Sequence, residues 1–264
     1  IKYQSKMQYK FKSKIINRFM FFAILLTSCL LFNCVSANKI NYFQIEDNSK
    51  LTETIVNYEP KLQINDILTI NVSAIDKESA IPFNLVESQN IGNQIPLPYI
   101  VNVDGEINFP VLGKIKVTQL TTKELTDSLT QRLLPYLKKP IVNIRITNFK
   151  ITVLGEVKNP GSYGVLNERI SIIEALGLAG DLTIYGDRKN IVLIREYNGK
   201  RTSEIIDLTN KALFDSPYFY LSQNDALYVA SNKTKVNSSG VGPNTSVILS
   251  SISILTTIIA ILVR

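Results

Sequence analysis

TTKELTDSLTQRLLPYLKKPIVNIRIT, residues 121–147, holds two periodicities in one run. In its first half, Leu125, Leu129 and Leu133 recur every four residues and line one face of a helix. Thr121 and Glu124 form a capping box, which sets the start of that helix. Pro135 ends it. Residues 141–147 then alternate. Val142, Ile144 and Ile146 point one way, and Asn143, Arg145 and Thr147 the other, as in a half-buried strand. A helix and a strand with one apolar face each are the parts of an α+β layer.

Upstream, LQINDILTINV (residues 62–72) predicts a turn and then a strand. Residues 99–103 and 106–109 predict a hairpin across Asp104-Gly105. Residues 76–97 have weak periodicity and contain Pro82 and Pro96, so a loop is expected there. Residues 39–60 read as a polar, extended lead-in. Downstream, residues 151–157 predict a strand, Asn159-Pro160-Gly161 a turn, and residues 162–165 the return strand. Ser171 caps a short helix that runs to Leu178 and closes at Gly180. Residues 191–197 and 200–206 flank Asn198-Gly199, a strong hairpin signal, and residues 225–229 give a final strand. Residues 231–245 are rich in Asn, Ser, Gly and Lys and read as a linker.

The two ends differ from this body. Residues 246–263, SVILSSISILTTIIAILV, carry no charge, and a transmembrane helix is expected there. Ser246, Ser250, Ser253 and Thr257 fall on one stripe of it. That stripe fits either ordinary hydroxyl-mediated helix packing or the lining of a pore built from several copies. At the other end, a basic stretch to Arg18 precedes an apolar run over residues 19–32, the order of a secretory signal. The sequence opens on Ile1, so either the gene start is missing or Met7 is the initiator. Two cysteines fit a lipoprotein signal. Leu26-Thr27-Ser28 precedes Cys29, and Leu31-Phe32-Asn33 precedes Cys34. Cys34 is favoured for lipid attachment, because a polar tether (residues 35–39) follows it, whereas Leu30, Leu31 and Phe32 follow Cys29. A plain membrane anchor with two incidental cysteines is the alternative.

Composition removes whole classes of chemistry. The 264 residues include no histidine, so histidine bases, histidine-containing triads and histidine metal sites are excluded. Both cysteines lie in the leader region, so the body has no cysteine zinc site or redox pair, and no metal site is expected. The formal charge of +7 is concentrated at the start. Residues 1–33 hold six basic residues and no acid, and the remainder holds 23 basic against 22 acidic residues. A near-neutral body gives no footprint for nucleic acid. There is no phosphate-binding G-x-x-x-x-G-K-[ST] run, and Gly155, Gly161 and Gly164 read as turn glycines. Asp104 with Glu106, or Glu168 with Glu174, could be offered as the carboxylate pair of a glycosidase. Carboxylates on turns and helix surfaces are usually solvated charges, so no catalytic residue and no enzyme are expected. The run Tyr218-Phe219-Tyr220 would stack on sugar rings if exposed, or else fill a core or an interface.

The ordered set resembles the Wza-type polysaccharide export proteins of Gram-negative outer membranes. Residues 34–44 look like the lipidated start. Residues 62–72 look like the opening of the polysaccharide export domain, with Asn65-Asp66 where Gly-Asp is usual. Residues 99–113, with Leu120-Thr121 and the helix after them, match that domain's core. Residues 153–163 and 172–180 resemble the SLBB domain, a β-grasp-like module. The resemblance implies a small β-rich export domain, then the SLBB domain, then one C-terminal transmembrane α-helix. The boundaries read as signal peptide 1–33, tether 34–60, export domain 61–149, SLBB domain 150–230, linker 231–245 and transmembrane helix 246–263. It further implies an outer-membrane lipoprotein whose domains lie in the periplasm, with a covalent lipid and no other cofactor. The expected assembly is a ring-shaped homo-oligomer, a channel for capsular or extracellular polysaccharide, partnered by an inner-membrane co-polymerase. The alternative is a monomeric envelope lipoprotein that binds a soluble glycan or other ligand.

Overall fold

The computed structural model describes residues 41–44, 58–90, 93–197, 199–240 and 244–262. Cys29 and Cys34 lie outside them, as do the signal region and most of the tether. The chain is a β-rich α+β protein with short helices.

The first body opens on the turn at Asn65-Asp66. Asn65 has φ +70°, a left-handed conformation that asparagine tolerates, which is how it stands where glycine was expected. Strand β1 (Ile67–Ser73) follows, then a four-residue helix α1 (Lys77–Ala80), a 3-10 turn (Ile81–Phe83), and a hairpin of β2 (Val86–Asn90) and β3 (Asn93–Pro96). Residues 76–97 are therefore not a plain loop. Elements of four or five residues are too short to print a period.

The hairpin expected across Asp104-Gly105 is also corrected. The turn exists, with Gly105 at φ +73° and its N–H donating to the Asn102 carbonyl at 2.8 Å. Its flanks pair elsewhere. Strand β4 (Tyr99–Ile100) joins β1, and β5 (Glu106–Phe109) pairs with β6 (Gly113–Lys116).

Helix α2 (Thr122–Leu133) has the expected capping box. The Thr121 N–H donates to Glu124 Oε2 at 2.8 Å, and the Glu124 N–H to Thr121 Oγ1 at 3.1 Å. Leu125, Leu129 and Leu133 are fully buried. Strand β7 (Ile141–Ile146) completes the antiparallel order β4-β1-β7, with Val142 and Ile144 inward.

The second body begins with a hairpin, β8 (Lys150–Gly155) and β9 (Gly161–Gly164). Strand β10 (Ile170–Ser171) leads into helix α3 (Ile172–Leu178), which carries a Ser171/Glu174 capping box. A long hairpin follows, β11 (Gly186–Tyr197) and β12 (Lys200–Ile206). After a 3-10 turn (Lys211–Asp215), β13 (Tyr220–Leu221) returns to pair with β10. Strand β14 (Ala226–Ser231) slots between β11 and β8, parallel to β8, giving the order β12-β11-β14-β8-β9. Gly155 has φ +89°, and a Cβ there would lie 2.1 Å from the Val229 carbonyl oxygen, so this position requires glycine. Gly161 and Gly164 are strand residues of β9 rather than turn residues.

Helix α3 covers one sheet face, where Ile172, Ala175 and Leu176 join Ile151, Val153, Leu193 and Leu227 in a buried core. Among the described residues, no helix packs over the opposite face. There Leu154, Tyr228, Val192 and Ile205 align in one cross-strand row. Leu154 is 45%, Tyr228 47% and Ile205 70% exposed.

Residues 231–245, read as a linker, contain helix α4 (Lys233–Gly240). Helix α5 (Asn244–Leu262) follows, and here the expected transmembrane helix is overturned. Among the described residues, no helix is long and apolar enough to cross a membrane. Of the nineteen residues of α5, eight are Asn, Ser or Thr, so no long unbroken apolar run is available.

The two bodies belong to one compact unit that runs from Tyr42 onward. Two side-chain amides hold the joint between them. Asn148 accepts from the Ile67 N–H and donates to the Asn65 carbonyl, both at 2.9 Å. Gln223 accepts from the Lys150 N–H and donates to the Asn148 carbonyl, both at 2.8 Å. Ile146 packs against both cores.

Asp66 is 1% exposed, and its Oδ1 has no hydrogen-bond partner. Burial pushes its carboxyl up to about 6, against the pull of the Gln63 N–H on Oδ2 at 2.8 Å. The folded value exceeds the unfolded one, so the native state binds the extra proton between about pH 4 and 6. Stability from this group is therefore gained as pH falls. Urea melts should find the wild type gaining about 1 kcal/mol from Asp66 between pH 7 and pH 5. Asp66→Asn should lack that increment. An identical pH response in both proteins would refute the assignment.

Candidate functional site

A half-open cleft of about 840 Å³ lies between the two bodies. One wall is the end of β7 and the joint, with Arg145, Ile146 and Phe149. The other is the β10–β13 pair and the residues just before it. The volume falls in the range of ligand clefts.

The β10–β13 register sets Ser171 opposite Tyr220, which brings the preceding Arg169 beside the Tyr220 ring. The Arg169 guanidinium carbon lies 5.0 Å from that ring centroid, a cation–π distance. Tyr58 stacks on Tyr220 at 5.3 Å and 14°, and its hydroxyl hydrogen-bonds Ser222 at 2.8 Å. Phe219 meets Tyr220 edge-on at 5.0 Å. The aromatic run named from the sequence thus sends two of its three residues to the cleft. Phe219 and Tyr220 both line the cleft, and Phe219 packs on the core as well. Tyr218 also packs on the core and donates to Glu204 at 3.1 Å, a bond that raises its phenol pKa.

A buried ion pair backs this wall. Arg195 Nη2 donates to Asp225 Oδ2 at 2.7 Å and to the Tyr220 carbonyl at 3.0 Å. The Ser222 N–H donates to Asp225 Oδ2 at 2.7 Å. Burial pushes the Asp225 carboxyl up, and Arg195 pulls it back. Burial also works against the Arg195 charge, but the Asp225 carboxylate more than offsets it and holds the guanidinium above its ordinary value. Arginine stays protonated in either setting, so the pair is ionic.

Of the residues singled out from sequence, few meet here. Glu168 and Glu174 both line the cleft, but the Glu174 carboxylate accepts from the Ser171 N–H and Oγ, each at 2.7 Å, and is spent on the helix cap. Asp104 lies exposed on the turn before β5, and Glu106 is the first residue of that strand. Ser250, Ser253 and Thr257 are exposed on α5, and Thr257 Oγ1 donates to its own helix at the Ser253 carbonyl, 2.8 Å away. The Ser246 side chain, Cys29 and Cys34 lie outside the described residues. Arg145, Arg169 and Tyr58 were not singled out. Only the outward position of Arg145 in its alternating strand gave a signal.

Residues 55–147 match the family described as polysaccharide biosynthesis/export protein, and residues 150–205 match the SLBB domain. The chain carries a polysaccharide export domain joined to an SLBB domain. It is 35% identical over 101 residues to the EPS I polysaccharide export outer membrane protein EpsA of Ralstonia solanacearum. The same identity and length hold for the protein of that name from Ralstonia nicotianae. Those stretches are 37% of this chain and only 27% and 26% of the two relatives. The matched family is one of polysaccharide export proteins, not of enzymes. The cleft lies between the export domain and the SLBB domain, and Asn148 and Gln223 tie the two together.

Arg195→Met should destabilise the protein by about 3–5 kcal/mol in urea melts, because Asp225 is left buried and unpaired. Arg195→Met with Asp225→Leu should recover most of that loss. A single variant as stable as the wild type would show that the pair does not hold this wall.

Proposed function

We propose that this chain is an outer-membrane component of polysaccharide export. One observation carries the reading: an export domain and an SLBB domain stand in one compact unit, in a chain similar to proteins named for polysaccharide export at the outer membrane. The substrate is capsular or extracellular polysaccharide, and Cys34 carries the lipid that fixes the chain to the outer membrane. An inner-membrane co-polymerase delivers the polymer.

The working form is a homo-oligomeric ring. A body with two packed cores and open clefts leaves a polymer's path to be enclosed by several copies around an axis. The apolar row of Leu154, Tyr228, Val192 and Ile205 supports association, since it is exposed apolar surface of the kind that interfaces cover. Passage through the ring needs weak, repeated contacts rather than one tight site. The near-neutral body fits that need, because it offers a charged polymer no strong trap.

Deleting the gene should remove polysaccharide from the cell surface and leave polymer inside the envelope, with recovery when the full chain is supplied. Unchanged surface polysaccharide would overturn the export reading. Native mass spectrometry of the full-length protein in mild detergent should find one discrete homo-oligomer. A monomer would overturn the ring and favour an envelope ligand-binding lipoprotein.

A further inference from the structure

We propose that the cleft between the two domains is a contact site for a hydroxyl-rich glycan segment. The cleft's chemistry stands by itself, and the choice of a glycan over other polyols rests on the export reading.

A sugar ring is amphipathic. Its edge carries hydroxyls that both donate and accept, and its face carries C–H groups. A surface that holds it needs unpaired donors, unpaired acceptors and an apolar plate together. The cleft supplies all three. Arg145 and Arg169 bring guanidinium donors, and Glu59 and Glu168 bring carboxylate acceptors. Among the described residues, none of these four side chains has a hydrogen-bond or ion-pair partner, and the Arg169 guanidinium lies over the Tyr220 ring. The apolar part comes from Tyr58, Leu166 and Ile173, with Leu166 wholly exposed and Ile173 at 36% exposure.

Charge balance selects against other ligands. Two arginines face two glutamates, and Glu174 is tied to the helix cap. A phosphate or nucleotide site would carry net positive charge, and this cleft does not. A site for an apolar ligand would not be rimmed by four charged side chains.

The support beneath Tyr58 is also fixed in advance. Tyr220 is held at its ring by Tyr58 and at its backbone by Arg195, which is itself locked to buried Asp225. Little ordering of this wall is needed when a ligand arrives, so even a weak contact retains its energy.

The test uses the full-length protein in detergent and saturation-transfer NMR. The probe is oligomers made by mild acid hydrolysis of the extracellular polysaccharide of the bacterium that encodes this chain. Saturation should pass to the oligomers in fast exchange. Arg169→Gln and Tyr58→Ala should each weaken the apparent affinity about tenfold, an energy in the range of one aromatic or charge-assisted contact. Lys189→Ala, on the exposed start of the long hairpin, should leave it unchanged. Arg169 is exposed, so Arg169→Gln keeps the test independent of folding if Tyr58→Ala unfolds. No transfer to the oligomers, or transfer that both cleft variants leave intact, would overturn the site. If gene deletion blocks export while the oligomers fail to bind, the site is wrong and the export reading stands. If the oligomers bind through Arg169 while deletion leaves export intact, the site stands and the export reading fails.

Discussion

The chain passes from one domain to the other over residues 147–150, and two amide side chains hold it there. Asn148 reaches back to both sides of the Asn65-Asp66 turn, and Gln223 reaches from the far domain to both sides of the joint. Each amide uses its donor and its acceptor, so neither leaves a polar group stranded. A flexible link would let the cleft walls drift, since Arg145 stands on one domain and Arg169 on the other. With the joint clamped and Ile146 shared by both cores, those two side chains stay in one cleft. The Tyr197 hydroxyl adds a second tie at 2.8 Å to Gln119, farther along the boundary.

Much of the local structure was legible because single residues carry strong local signals. Thr121 with Glu124 announces a helix start in four residues, and the leucines at 125, 129 and 133 fix its buried face. Asn198-Gly199 marks its hairpin for a similar reason, since few residues tolerate that turn. The errors arose where partners compete. Asp104-Gly105 is a true turn, yet the residues on its two sides are claimed by β1 and by β6. A turn signal states that the chain reverses and is silent about which neighbour wins the backbone. The C-terminal helix failed differently. Length and absence of charge suggest a span and the hydroxyls a stripe along it, but hydroxyls and an asparagine occupy eight of the nineteen positions in α5 and leave too little apolar surface.

The cleft was nearly invisible in sequence, for a physical reason. Its members come from the lead-in, from β7, from the segment before α3 and from β13, and pairing alone brings them together. Arg169 sits in a polar run with no period, and its role exists only because Ile170 pairs with Leu221. Tyr220 was noticed as one of three aromatics, but the sequence could not separate it from Phe219 and Tyr218. The β10–β13 pairing did that, by setting Tyr220 opposite Ser171. Leu221, the next residue of β13, turns the other way into the core.

The buried Arg195–Asp225 pair makes sense in this light. Burying two charges costs free energy, and an apolar pair of similar size would often be as stable or more so. What an apolar pair cannot do is grip a particular carbonyl. Arg195 gives one Nη2 donor to the Tyr220 carbonyl and donates from Nε and Nη2 to Asp225, while Asp225 also accepts from Ser222. The result fixes residues 220–225 from behind at several points in defined directions. Hydrophobic contacts would hold the same segment in the core but let it slide, because they have no preferred angle. A wall that must present Tyr220 at one tilt, with Arg169 over its ring, needs the directional kind of interaction. The desolvation cost of the ion pair is thus tied to the orientation of the cleft wall rather than to stability alone.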